Sequence, residues 1–150
     1  MQMRHSTLVL SKNQAAVRQT EAAIDAFQRG DFDICITLAG AAEGIYSTRK
    51  GSDMFSYLIS HAGALERYGS KRWNRMLNRE RDWLKHATEG EPQTLTLEAF
   101  DAAAMIARAA SKLDQSSWTP KMHEFREWFV AECTTTPEHL LPATRVAADR

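Results

Sequence analysis

Apolar residues recur along this chain at three- and four-residue spacing, and no stretch keeps a period of two over the length of a strand. The pattern predicts helices almost throughout. The first starts at Ser11, where Ser11 and Gln14 can form a capping box, and runs to Arg29 with Val17, Ile24 and Phe27 as its apolar stripe. Gly30 supplies a stop, and Asp31 or Asp33 can cap a second helix reaching about Thr48. That second helix carries Ile34, Ile36, Leu38, Ala39, Ala41, Ala42 and Ile45, so it is apolar nearly all round and should be central. Asp53 caps a third helix to about Tyr68, where Gly69 ends it. A fourth, about Ser70 to Ala87, leads into a turn-rich stretch, Thr88 to Gln93, with Gly90 and Pro92. A fifth is expected from near Thr96 to about Leu113. Thr119-Pro120 opens a sixth, which carries Met122, Phe125, Trp128 and Phe129. Thr136-Pro137 repeats that signal before a weaker C-terminal segment.

The expectation is therefore an all-α, antiparallel up-and-down helical bundle of four to six helices in a single domain over residues 1–150. Residues 1–10 and 137–150 would be a peripheral lead and tail. At 150 residues, with 43% hydrophobic and 25% charged residues, the chain can bury a core without disulfides or a structural metal. Leu8-Val9-Leu10 is too short for a signal-peptide core and no apolar run approaches a membrane span, so no membrane association is expected. Cys35 and Cys133 stand in different helices without metal spacing, which fits free thiols in a cytoplasmic protein. The histidines His5, His61, His86, His123 and His139 are scattered, and no zinc, di-iron, phosphate-loop or nucleophile-elbow motif is present. No metal and no cofactor are assigned. Tyr57, His61 and Tyr68 would share one line of the third helix.

Nineteen basic residues balance nineteen acidic ones, which gives no bulk attraction to a polyanion. The distribution changes that picture. Between Arg67 and Lys85 stand Arg67, Lys71, Arg72, Arg75, Arg79, Arg81 and Lys85, opposed by only Glu80 and Asp82. On a helix Arg75, Arg79, Asp82 and His86 align, with Lys71, Asn74, Asn78, Arg81 and Lys85 beside them; Trp73, Met76, Leu77, Trp83, Leu84 and Ala87 form the apolar stripe. Such a face is either a solvated helix surface or a grip for phosphates. It ends in a histidine, the side chain suited to moving a proton near neutral pH. Glu43 and Glu80 each interrupt an apolar stripe. A carboxylate withdrawn from water needs a partner, and for Glu43 the fourth helix should supply it as an Arg or His.

The string Arg81-Asp82-Trp83-Leu84-Lys85-His86 reads as an arginine with a polar follower, then a histidine after four intervening residues; Arg79 to His86 leaves six. This resembles the Arg-x(4–6)-His signature of the HEPN superfamily (higher eukaryotes and prokaryotes nucleotide-binding). The stretch Ala23 to Gly44, AIDAFQRGDFDICITLAGAAEG, is similar to the first helical hairpin of those domains, with Gly30, Asp31, Ala39, Ala42 and Glu43 where that pattern expects them. The resemblance implies a HEPN-like helical bundle, usually a homodimer, in which two Arg/His motifs meet in a cleft. Active members cleave RNA without a metal, and inactive ones bind RNA or protein partners. It implies His86 as general acid/base and Arg81 or Arg79 as the group stabilising the phosphorane. Asp82 and Glu43 would orient them, while Lys85 and Arg75 hold substrate phosphates. On an ideal helix Arg81 and His86 stand about 140° apart and Arg79 and His86 almost in line. Arg81 has the polar follower, so it is preferred and Arg79 is retained. Trp83 inside the motif packs in the core or stacks on a base. The alternative is a non-catalytic helical dimer acting as a protein-interaction or regulatory partner.

Overall fold

The computed structural model describes residues 7–46, 52–86 and 90–135. Among these, seven α-helices and no strand occur: α1 (Lys12–Arg29), α2 (Phe32–Gly44), α3 (Met54–Ile59), α4 (Ala62–Tyr68), α5 (Ser70–Lys85), α6 (Ala99–Ser111) and α7 (Pro120–Thr135). No described helix is long and apolar enough to cross a membrane.

Local signals place most of the ends. The Ser11 hydroxyl accepts from the Gln14 N–H at 3.1 Å and the Gln14 side chain accepts from the Ser11 N–H at 2.9 Å, which closes the capping box. Gly30 sits at φ +81°, a left-handed conformation that ends α1 and turns the chain within two residues. Asp31 precedes α2 without a side-chain cap; its carboxylate accepts from Arg29 Nε at 2.9 Å instead. The Tyr46 hydroxyl donates to Asn13 Oδ1 at 3.1 Å, so the end of α2 lies beside the start of α1 and the two helices are antiparallel.

Three contacts set the direction of α6. Cys35 Sγ approaches the Ala102 carbonyl, Glu43 meets Arg108, and Lys112 Nζ reaches the Tyr46 carbonyl at 3.2 Å. Numbers rise together on both helices, so α2 and α6 run parallel. By the same reasoning α7 runs parallel to α1, because Lys121 pairs with Asp25 and Phe125 and Trp128 pack on Phe27. The core between α1, α2 and α6 is built largely of alanine: Ala16, Ala23, Ala26, Ala39, Ala42, Ala102, Ala103 and Ala109 are buried around Ile24, Ile36 and Ile106. Small side chains let the helix backbones approach closely, and α2 sits in the middle, as its all-round apolar pattern predicts. Phe27, Phe32, Phe125, Trp128, Phe129 and Phe100 close the α7 side as an aromatic cluster.

Several expected helix bounds differ. The single helix from Asp53 to Tyr68 is two helices. Ser60 Oγ donates back to the Ser56 carbonyl at 2.8 Å, competing with the helical ladder, and His61 leaves the helix to cap α4, its Nδ1 accepting from the Ala64 N–H at 3.3 Å. Tyr57, His61 and Tyr68 therefore share no helical line; Tyr57 is exposed, and Tyr68 stacks on Trp73. The fifth expected helix starts at Ala99, not near Thr96. Asp101 accepts from the Glu98 N–H at 3.1 Å and sets the first turn there, while the preceding Thr94-Leu95-Thr96-Leu97 stays irregular. The second helix ends at Gly44, short of the expected Thr48, with Ile45 and Tyr46 already in a turn and bend. The segment after Thr136-Pro137 lies outside the described residues.

A buried carboxylate and the basic face of the fifth helix

Glu43 is 2% exposed near the end of α2. Its charge is met by a fork: Arg108 of α6 donates from Nε to Oε1 and from Nη2 to Oε2, both at 2.9 Å. Two parallel N–H bonds to one carboxylate form the strongest side-chain ion-pair geometry available. Arg81 of α5, the residue expected from that helix, donates from Nη1 to Oε2 at 3.3 Å. The main partner is Arg108, which the sequence reading did not single out. Its signal was present: the one cation of alanine-rich α6, matching the carboxylate that interrupts the apolar body of α2.

Arg108 is itself buried, and two of its three remaining N–H donors are used. Nη1 donates to the Leu77 carbonyl at 2.6 Å, Nη2 also donates to Asn78 Oδ1 at 2.8 Å, and the guanidinium lies 4.5 Å from the centre of the Phe55 ring. Burial pushes its pKa below the usual arginine value, and the adjacent Glu43 carboxylate partly opposes that shift. Asn78 completes the set by donating to the Asn74 carbonyl at 3.0 Å. Asn74 and Asn78, expected along the polar line of this helix, thus divide, with Asn78 buried inward and Asn74 exposed.

Arg81 bridges this buried pair and the surface. Its Nε and Nη2 donate to Asp82 Oδ1 at 3.0 and 2.8 Å, so its guanidinium is shared between one buried and one half-exposed carboxylate. The arginine stem lies against α2. A Cβ at Gly40 would stand 3.0 Å from Arg81 Cγ and 3.1 Å from Cδ, so only glycine lets the stem pass that close without a shift.

The exposed face of α5 carries Lys71, Arg72, Arg75, Arg79 and Lys85. Arg67 and Arg72 lie over the Tyr68 ring at 5.4 and 5.7 Å. Trp73 anchors the other side of the helix, its Nε1–H donating to the Leu58 carbonyl at 2.7 Å. Glu80 is half-buried.

The helix ends at Lys85, two residues before the expected Ala87. His86 has extended backbone (φ −127°, ψ 137°), with its N–H donating to the Asp82 carbonyl. Neither the in-line pairing with Arg79 nor the 140° offset from Arg81 describes a residue that has left the helical path. His86 is exposed and lines an open cleft of about 430 Å³ with Trp83, Leu84, Lys85, Glu91, Pro92 and Gln93. Trp83 Nε1–H donates to the Pro92 carbonyl at 2.9 Å and pins the loop that forms the far wall. Of the residues predicted to act together, the structure joins Glu43, Arg81 and Asp82 in one network and places Lys85 and His86 together in the cleft. Arg75 and Arg79 lie on the outer face of α5.

The chain matches no protein-family model, and neither a curated protein nor a solved structure is significantly similar to it.

Proposed function

We propose that this protein is a HEPN-like domain that binds RNA along the exposed face of α5 and cleaves it at His86 by a mechanism that needs no metal. The observation that carries this reading is the row of cations Lys71, Arg72, Arg75, Arg79 and Lys85, interrupted by Asp82 and leading to an exposed histidine in a cleft. Cations at this spacing suit a phosphate backbone. An accessible imidazole beside it can take the proton of a ribose 2′-hydroxyl, whose oxygen then attacks the adjacent phosphorus. The 5′-oxygen leaves with a proton returned by an imidazolium, and a 2′,3′-cyclic phosphate remains. Arg81, or Arg79 in its place, would carry the charge that develops on the phosphorane oxygens, with Glu43 and Asp82 holding Arg81 in position. In this reading two copies of the chain bring the ends of their α5 helices to a common cleft.

A second reading follows from the state of Arg81. Three of its five N–H groups already serve two carboxylates, so a phosphate that takes its Nε–Nη2 edge must displace Asp82. That commitment favours a non-catalytic dimer whose basic face docks a macromolecular partner.

Incubation of the purified protein with total RNA in EDTA, beside a His86→Ala variant, separates the two. The proposal expects cleavage by the wild type and a loss of about 10²–10⁴-fold in the variant. Salt-sensitive RNA retention with no cleavage supports the second reading, and cleavage that requires an added metal overturns the mechanism.

A further inference from the structure

The cleft beside His86 holds a carboxylate that the phosphate-binding face does not explain. Glu91 is half-buried in the far wall, and neither its side chain nor those of Gln93, Lys85 and His86 is engaged in a hydrogen bond or ion pair among the described residues. An anionic group at the end of a cationic helix face repels phosphate at that point. What it accepts must present hydrogen-bond donors. Trp83 and Pro92 also line the cleft, which opens broadly to solvent and has a volume of about 430 Å³, within the roughly 300–1,000 Å³ range of small-molecule sites.

We infer that this cleft receives one unstacked guanine of the RNA. The inference rests on the RNA reading above and names its substrate more closely. Guanine presents two adjacent donors, N1–H and the N2 amino group, on one edge. A single carboxylate accepts both in a charge-assisted pair, and the carbonyl O6 beside them is an acceptor for the Gln93 amide. Adenine, cytosine and uracil each lack that donor pair. Trp83 supplies the wall against which the base rests, and the Trp83–Pro92 bond keeps that wall in place without an occupant. A base seated here brings its own ribose to the mouth of the cleft, where His86 stands. The substrate is then a single strand, because a duplex keeps guanine's Watson–Crick edge occupied.

Pentanucleotides of 2′-O-methyl uridine with a central 2′-O-methyl G, A, C or U provide the test, since the methyl group removes the nucleophile and leaves only binding. Fluorescence anisotropy with the wild-type protein and with Glu91→Gln reads the preference. The central-G oligonucleotide is expected to bind about ten- to a hundredfold more tightly than the other three, and Glu91→Gln to abolish that difference while binding of the all-uridine oligonucleotide is unchanged or stronger. Equal binding of all four by the wild type overturns this inference alone, as does a guanine preference that survives in Glu91→Gln. Failure of every oligonucleotide to bind overturns the RNA reading together with it.

Discussion

Replacing Arg108 by methionine removes the guanidinium that neutralises Glu43 and leaves an unbranched stem of similar bulk. Glu43 loses both of its 2.9 Å bonds, Asn78 Oδ1 loses its arginine donor, and the contact with the Phe55 ring disappears. Breaking a buried ion pair by deleting one partner costs about 3–5 kcal/mol. Arg81, at 3.3 Å from Glu43 Oε2, remains as a weaker partner, which places the expected loss at the lower end, about 3 kcal/mol. Urea unfolding followed by far-UV circular dichroism and tryptophan fluorescence at pH 7 measures it, provided the two probes coincide. The double variant Glu43→Met/Arg108→Met removes both charges together, and its loss should be smaller than that of Arg108→Met alone. A loss below about 1 kcal/mol in the single variant would refute the reasoning. So would a double variant whose loss equals the sum of the two single losses.

Three further outcomes follow. Gly44→Ala, where an added Cβ meets open space, should stabilise α2 by up to about 1 kcal/mol, whereas Gly40→Ala should gain nothing because its Cβ must push the Arg81 stem; chemical unfolding of the pair checks the contrast. Burial pushes the Cys35 thiol up to about 12 from its ordinary 9.0, so the unfolded chain loses this proton first; stability is full below about pH 9 and falls as pH climbs toward 12. At pH 10 this amounts to about 1.4 kcal/mol, and the difference in unfolding free energy between pH 8 and pH 10 should shrink by that amount in Cys35→Ala. RNA binding should weaken with salt, and Arg75→Gln should reduce the magnitude of the log–log salt slope by about 0.7 if Arg75 contacts one phosphate of a single strand.

Helix ends written in a few consecutive residues were legible: Ser11 with Gln14, Gly30, and Thr119-Pro120 each act within their own short stretch of chain and stand where expected. The break after Ile59 was not, because the 3.6-residue apolar pattern continues through it. Only the Ser60 hydroxyl and the cap from His61 decide against a continuous helix. In the candidate site, Glu43 was legible as a carboxylate needing a cation and Arg81 as one of its donors. Arg108 was missed because the pairing spans 65 residues and depends on α2 and α6 running parallel, which no local pattern encodes. The position of His86 depended on one helix end. Extending α5 through Ala87 put the imidazole on a helical line with Arg79, and ending it at Lys85 turns the ring toward the loop pinned by Trp83. His86 therefore belongs to the cleft beside the motif, where Glu91 and Gln93 carry no sequence signal.

Whether His86 moves the proton of a 2′-hydroxyl is read from the ends of the RNA fragments made in EDTA by the wild type and by His86→Ala. The account predicts fragments with 5′-hydroxyl and 2′,3′-cyclic phosphate ends from the wild type and their near absence with the variant. Fragments formed equally by both proteins, or carrying 5′-phosphates, would contradict it.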